Sequence, residues 1–433
     1  LAYLVAGLLV SPVALYRACR HSRYKKGWHN RLGTIDRKDT SKKCIWLHAV
    51  SVGEINAART VVEQLRNQFP DHEIVISATT DTGFTRAEKL FAGRHTVFYF
   101  PLDFSWAMTR AFNRIRPSLC LLMELEIWPN FMHVASSRNV PVIVVNGRIS
   151  NKGFSRYRFI KPIARMVFGR VRLVLAQTEE YARRFCALGC PDNRVIVTGS
   201  LKYDTAEIAD KIEGTDKLIE QIEVAQEPLW VAGGTGPGEE ELLLNVYQNL
   251  IQDESFANLR LAIVPRKPER FNEVAQLIRS RQFALVRYSA VKAGRHTTPI
   301  DKRAVLLGDT MGDLRKFYSV ATIVFVGRSL VPMGGSDMME AAALGRCTMF
   351  GPHTFNFEQT VEALLADDGA IRVRDEEELL HALRRCLADP QSAGRIAGRG
   401  QEVIRKNQGA TQRCLDAIIG VLERIDRTNE TSA

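Results

Sequence analysis

Short runs of almost continuous apolar residues alternate along this chain with stretches whose apolar positions fall three and four apart, as Ala57, Val61, Val62 and Leu65 do. The first kind reads as strand buried on both faces, the second as amphipathic helix. In the first half, strands are expected at 44–50, 73–78, 96–100, 119–123, 141–146, 173–177 and 195–198. In the second half they are expected at 229–232, 259–264, 304–307, 322–326 and 347–350. Strands and helices alternating in this way build parallel sheets covered by helices on both faces. Two such sets predict two doubly wound α/β domains. The break is expected just after Lys202-Tyr203-Asp204, where an acid-rich helical segment, 207–226, leads to Pro228 and a new first strand.

Composition changes the picture of partners more than that of the fold. With 433 residues, 45% hydrophobic and 25% charged, the chain is ordinary globular material, which excludes disordered and low-complexity classes. Its formal charge of +11 is uneven: residues 17–43 hold ten Lys/Arg against two Asp, and 148–172 hold eight Lys/Arg and no acid. Two basic surfaces on the N-terminal half call for an acidic partner, anionic lipid or nucleic acid. Residues 1–16 are uncharged and mostly apolar and lead directly into the first basic cluster. A full span takes roughly 20 apolar residues, so residues 1–20 are expected to be a membrane-anchor helix, as a partial span or a monotopic insertion. A cleaved signal peptide would carry its cations before the apolar run. The positive flank places the domains beyond it on the cytoplasmic side of the membrane. In the second basic stretch Phe154, Tyr157, Phe159 and Phe168 lie among Ile160, Ile163, Met166 and Val167. That is the pattern of a lipid-facing or core helix rather than of a base-stacking platform, so no nucleic acid is expected. The eight cysteines show no CxxC or metal-ligand spacing and read as core thiols in a reducing compartment.

Ligands of open α/β sheets bind beyond the carboxyl ends of the strands. Five stretches come directly after predicted strands and carry chemistry. HAVSVGE places Gly53 and Glu54 at a strand-to-helix crossing, and MELEIWPN places Glu124 and Glu126 where a strand ends. VPRKPER clusters Arg266 with further cations, and GDTMGDL makes a cap-like turn. VGRSLVPMGGSDMME ends a strand and opens a helix. There Gly334 and Gly335 would let a phosphate reach backbone N–H groups, and Glu340 would accept from a ribose diol. On the residues alone, Glu54 reads first as a helix first-turn carboxylate favoured by the macrodipole. Glu124 reads first as half of a buried ion pair, with Glu126 as its rival on the same face if the strand continues.

Together with NGRIS, TGSLKYD and GPHTFNFE, these motifs resemble the Kdo transferases, GT-B glycosyltransferases that place 3-deoxy-D-manno-octulosonic acid (Kdo) on a lipid A precursor. The resemblance runs in order from the N-terminus to about Gln359. It implies two Rossmann-like domains facing a central cleft, an acceptor-binding one at 21–205 and a CMP-sugar-binding one at 206–433, whose last helix is free to pack back on the first. It implies CMP-Kdo as donor, a lipid IVA-type acceptor, inversion at the anomeric carbon, and neither metal nor cofactor. Glu54 becomes the proton acceptor, and Glu124 and Lys202 the transition-state support. CMP binding falls to Pro265, Arg266, Met311, Gly312, Asp313, Asp337, Met338, Met339 and Glu340. The acid-free stretch nominates Arg148, Arg156 and Arg158 for the acceptor, beside an anionic membrane surface.

The chain departs from the family pattern in three places. Ser336-Asp337 stands where His-Asn is common, Gly234-Thr235-Gly236 where Ser-Thr-His is common, and Lys267 where the usual Pro-Arg-His has its His. These departures leave donor geometry and affinity open, and recognition of the sugar carboxylate is expected to be rearranged. The competing readings are another GT-B transferase or epimerase using UDP-sugars, and a non-catalytic, membrane-tethered binder of anionic lipid.

Overall fold

The computed structural model describes residues 27–224, 226–296 and 298–430. The expected anchor at 1–20 lies outside the described residues. Among the described residues, no helix is long and apolar enough to cross a membrane.

The chain forms two compact units, one running to Thr205 and resumed from Gln408 onward, the other Ala206–Asn407. The first holds a parallel sheet of β1 (Lys43–Ala49), β2 (His72–Ala78), β3 (Thr96–Tyr99), β4 (Leu119–Met123), β5 (Val142–Gly147), β6 (Leu173–Ala176) and β7 (Val195–Val197). Their order is β3-β2-β1-β4-β5-β6-β7. Residues alternate to the two faces of β1. Cys44 and Trp46 enter one core with Phe98, Phe112 and Phe131, and Ile45 and Leu47 enter the other with Val61, Val62 and Leu65. The switch point, where neighbours on either side are reached by crossovers in opposite directions, lies between β1 and β4.

The second unit repeats the plan with β8 (Leu229–Thr235), β9 (Arg260–Pro265), β10 (Leu285–Arg287), β11 (Val305–Leu307), β12 (Ile323–Val326), β13 (Cys347–Phe350) and β14 (Ile371–Arg372). The order is β10-β11-β9-β8-β12-β13-β14, with the switch point between β8 and β12. Trp230, Phe325 and Met349 share its core with Leu243 and Tyr247.

Three expectations are corrected. The second unit stops at Asn407 rather than 433, because the helix Ala410–Glu430 buries Cys414, Leu415, Ile418 and Leu422 in the core of the first unit. Asp204 fastens its start by accepting the N–H groups of Gly409 and Thr411. The helix expected over 207–226 shrinks to Thr215–Ile222, bracketed by left-handed residues at Gly214 (φ 84°) and Glu223 (φ 52°). Finally, β10 and β14 are strands that were not expected from the sequence.

Candidate active site

In the first unit the site grows from the junction after β1. Ser51, in extended conformation, caps the helix Val52–Gln68 and accepts the N–H of Glu54 at 3.4 Å. Glu54 answers from the third helical position. Its Oε1 accepts the Ser51 hydroxyl at 2.8 Å and its Oε2 the N–H of Val50 at 2.9 Å. This is a reciprocal capping box extended by one residue, so the first-turn reading of Glu54 is correct for its local structure. The Val50 carbonyl is pinned in turn by the Thr80 hydroxyl at 2.7 Å. A Cβ at Gly83 would lie 2.5 Å from that carbonyl, so only glycine permits the approach. A Cβ at Gly53 would meet only the Ser51 Oγ, at 3.8 Å. Nothing in its own unit requires glycine there.

Glu124 follows β4 in a left-handed conformation, φ 54°, with its N–H bonded to the Val145 carbonyl. Burial raises its carboxyl above the ordinary range and the charge of Glu54 adds to the rise, while Lys202 and Arg148 oppose it. The left-handed residue ends the strand, so Glu126 does not share a strand face with Glu124. Glu126 instead turns to the Trp128 indole N–H, at 2.9 Å, and lies 3.8 Å from His48 Nε2. His48 is fully buried and stacked on Phe100 with ring centroids 3.7 Å apart. Its Nδ1 faces the Ser77 hydroxyl at 3.0 Å, and its Nε2 has no hydrogen-bond partner. Lys202 sits in the short helix Leu201–Asp204, positioned where Asn146 Oδ1 accepts the Leu201 N–H at 3.1 Å. Glu54, Lys202 and Arg148 thus all act electrostatically on Glu124, each from a segment that follows a strand, β1, β7 and β5 respectively. The other two nominated cations do not join them: Arg156 and Arg158 project to solvent from the helix Asn151–Phe159. Beside them the helix Lys161–Phe168 and its entry expose Phe159 (93%), Ile160, Ile163 and Met166.

The nominated donor residues of the second unit also lie beyond strand ends. Pro265 is buried as the last residue of β9, and Arg266 beside it is exposed, its N–H held by the Thr235 carbonyl at 3.1 Å. After β11, Met311 is exposed and Gly312 is left-handed at φ 88°. Asp313 is buried. Burial works to raise its carboxyl, but hydrogen bonds from Lys292, Thr310 and Lys316 outweigh it and hold the group at about 2. Its carboxylate therefore braces the loop, and the backbone of 311–313 is what remains to read a ligand.

After β12 the loop folds back through left-handed Arg328, Gly334 and Gly335. A Cβ at Gly334 would fall 2.2 Å from Asn356 Nδ2. Met338 and Met339 are buried by their side chains, leaving only their backbone to a ligand. Asp337 Oδ1 accepts the Met339 N–H at 2.9 Å. Glu340 is pushed up to about 7, by burial first and the neighbouring Asp337 second, against the pull of Arg315 and Arg266. The departures from the family pattern find internal partners: the Ser336 hydroxyl donates to the Gly234 carbonyl at 2.8 Å. Glu239 is buried and accepts the N–H groups of Ser329 and Leu330 at 3.0 Å each, fixing the loop after β12. A cavity of about 620 Å³ bordered by Thr322, Arg346 and Cys347 opens at the opposite ends of these strands and contains none of the nominated residues.

Ser51, His48, Asn146 and Glu239 were not singled out by the sequence. The S-x-x-E spacing of Ser51 and Glu54 was the one available signal, since it marks a capping box. Among the described residues no group of three His, Cys, Asp or Glu side chains is placed to hold a metal ion.

Residues 26–205 match the family model described as 3-deoxy-D-manno-octulosonic-acid transferase (kdotransferase). In fold, a glycosyltransferase from Rickettsia africae superposes on 89% of the chain and 98% of its own, with TM-score 0.56 at 12% identity. A 3-deoxy-D-manno-octulosonic acid transferase from Bordetella pertussis is 32% identical over 382 residues, 86% of each protein. One of the same description from Haemophilus influenzae is 35% identical over 384 residues, 88% of this chain and 87% of the relative. Identity of that level and breadth means that the chain belongs to the 3-deoxy-D-manno-octulosonic acid transferase family.

Proposed function

We propose that this protein transfers Kdo from CMP-Kdo to a lipid IVA-type acceptor in lipopolysaccharide core synthesis, at the cytoplasmic face of the inner membrane and without a metal. Family membership supports the activity, and with it the assignment of the first unit to the acceptor and the second to CMP-Kdo. The observation that carries the chemistry is the electrostatic convergence on Glu124, after β4, of Glu54, Lys202 and Arg148, which follow β1, β7 and β5.

In this reading Glu54 takes the proton of the acceptor hydroxyl as the oxygen attacks the anomeric carbon. The bond from that carbon to the phosphate breaks, and CMP leaves with the electron pair. Each oxygen of Glu54 is engaged by one hydrogen bond and has a further lone pair for the acceptor. A positioned base of this kind contributes on the order of 10²–10⁴ in rate. Lys202 offsets negative charge on the sugar carboxylate and the departing phosphate, and Glu124 orients Lys202. In the second unit Arg266 pairs with the single phosphate, the Met311-Gly312 backbone reads the cytosine edge, and Glu340 holds the ribose.

The anionic membrane is proposed as the partner of Arg156, Arg158, Lys161 and Arg165, which surround the exposed Phe159, Ile163 and Met166. Cations around protruding apolar side chains are the chemistry of an interfacial contact. The same surface would serve a non-catalytic lipid binder, but that reading leaves the carboxylate and lysine cluster without a purpose.

Incubation with CMP-Kdo and lipid IVA, followed by mass spectrometry of the lipid, tests the proposal. A lipid heavier by one or more Kdo residues is the expected product. An unchanged lipid with consumption of a UDP-sugar would overturn it.

A further inference from the structure

An N-cap serine ordinarily matters as an acceptor, because its oxygen satisfies a backbone N–H that the helix leaves unbonded. At Ser51 that contact is the long one. The Glu54 N–H lies 3.4 Å from Ser51 Oγ, whereas the hydroxyl lies 2.8 Å from the Glu54 carboxylate, to which it alone of the two can donate. The single hydroxyl proton is thus committed to the carboxylate. The second carboxylate oxygen is held by the Val50 N–H at 2.9 Å. The Val50 carbonyl is fixed from the other side by the Thr80 hydroxyl and N–H, at 2.7 and 3.3 Å.

From this geometry we infer that Ser51 is a positioning residue for transfer, setting the rotation of the Glu54 carboxylate so that a free lone pair meets the acceptor hydroxyl. The inference rests on the proposal that Glu54 is the base. A carboxylate on a two-carbon stem has three torsions to order, and the two donors at its two oxygens hold the last of them. Without the hydroxyl, Oε1 is unheld and the carboxylate pivots about the bond from Val50. The proton-accepting lone pair is then aligned for only part of the time, while nothing in the substrate-binding surfaces changes. The loss should therefore fall on turnover and not on binding.

The test uses the full chain with CMP-Kdo and lipid IVA. Ser51→Ala removes hydroxyl and cap together. Ser51→Gly removes the hydroxyl but starts a helix almost as well as serine. Ser51→Thr keeps both. Both Ala and Gly are expected to lower kcat on the order of tenfold or more, within the usual contribution of a general base, with the KM of each substrate and CMP affinity unchanged. Thr should recover most of the loss. In the Glu54→Gln background the Ala substitution should add little, because coupled residues are not additive. A Gly variant with wild-type Tm and wild-type kcat, alongside an inactive Glu54→Gln, overturns the inference about Ser51 and leaves the base in place. A Glu54→Gln enzyme that still turns over removes the base itself, and the role of Ser51 with it.

Discussion

Asp337 and Glu340 share one partly buried corner beyond β12, and burial reinforced by that neighbouring charge lifts the Glu340 carboxyl from 4.5 to about 7. Between those two values the folded protein keeps a proton that the unfolded chain has lost. Stability must therefore fall as pH rises through the window, by up to about 3 kcal/mol from this group. Glu340→Gln should leave Tm unchanged near pH 4 and raise it relative to wild type near pH 8, as thermal denaturation across that range would show. A difference in Tm that does not change with pH would refute the buried acid. Since a carboxylate accepts from a ribose diol better than a carboxylic acid does, CMP binding at pH 6.5 should also release protons, read as a buffer-dependent enthalpy in calorimetry.

Gly53 and Glu54 predict a separation of folding from function. The site next to Gly53 is open, and alanine is the better helix former by about 0.5–1 kcal/mol. Gly53→Ala should therefore keep or raise Tm while depressing transfer by crowding the acceptor. Glu54→Gln keeps shape, because its amide can donate to Ser51 Oγ and its carbonyl can accept from Val50, but it has no basicity. CMP affinity should survive and transfer should fall by roughly 10² or more. Normal turnover in either variant would take that residue out of the acceptor site.

Arg156 and Arg158 are separated from Arg148 by the structure, and this divides one prediction into two. Reversing the two exposed arginines to glutamate should weaken binding to phosphatidylglycerol vesicles by about tenfold to a hundredfold and raise the acceptor KM, with CMP affinity intact. Arg148→Ala, beside Glu124, should instead lower kcat and leave vesicle binding alone. Vesicle binding that is indifferent to the double reversal would place the membrane contact elsewhere.

A donor with a single phosphate needs less charge compensation than a pyrophosphate, and Arg266 with nearby backbone N–H groups is proposed to supply it. Transfer should accordingly persist in EDTA. Strict dependence on added Mg²⁺ would require carboxylate ligands, with Asp337 and Glu340 the first to examine.

Most strands were readable because a doubly covered strand is apolar at nearly every position, as 119–123 is throughout. The edge strands 285–287 and 371–372 were not, since each is two or three residues long and ends on an arginine. The helix expected over 207–226 was too long because Gly214 and Glu223 end it by backbone conformation rather than by a change in polarity. At the site, the strand-end positions of Glu54, Glu124, Arg266 and Glu340 followed from the alternation of elements. The left-handed turn at Glu124, which throws Glu126 toward Trp128 and His48, could not be read from a glutamate, a residue that seldom adopts it. Nor could the burial of Met338 and Met339 be told apart from exposure in a short stretch rich in methionine.

The helix Ala410–Glu430 completes the first unit after the chain has passed through the whole of the second. The second unit is thus an insertion carried inside the first. During synthesis Ala206–Asn407 has all of its sheet before the helix Ala410–Glu430 is made, so it can close as the chain emerges, whereas the first unit waits for that helix with part of one face of its sheet uncovered. A premature stop shortly after Asn407 would consequently injure the first unit, whose sheet is encoded ahead of the whole of the second. For dissection of the enzyme, 206–407 is the piece to express by itself. Its counterpart would require residues up to 205 to be joined to 408–433 through a short linker.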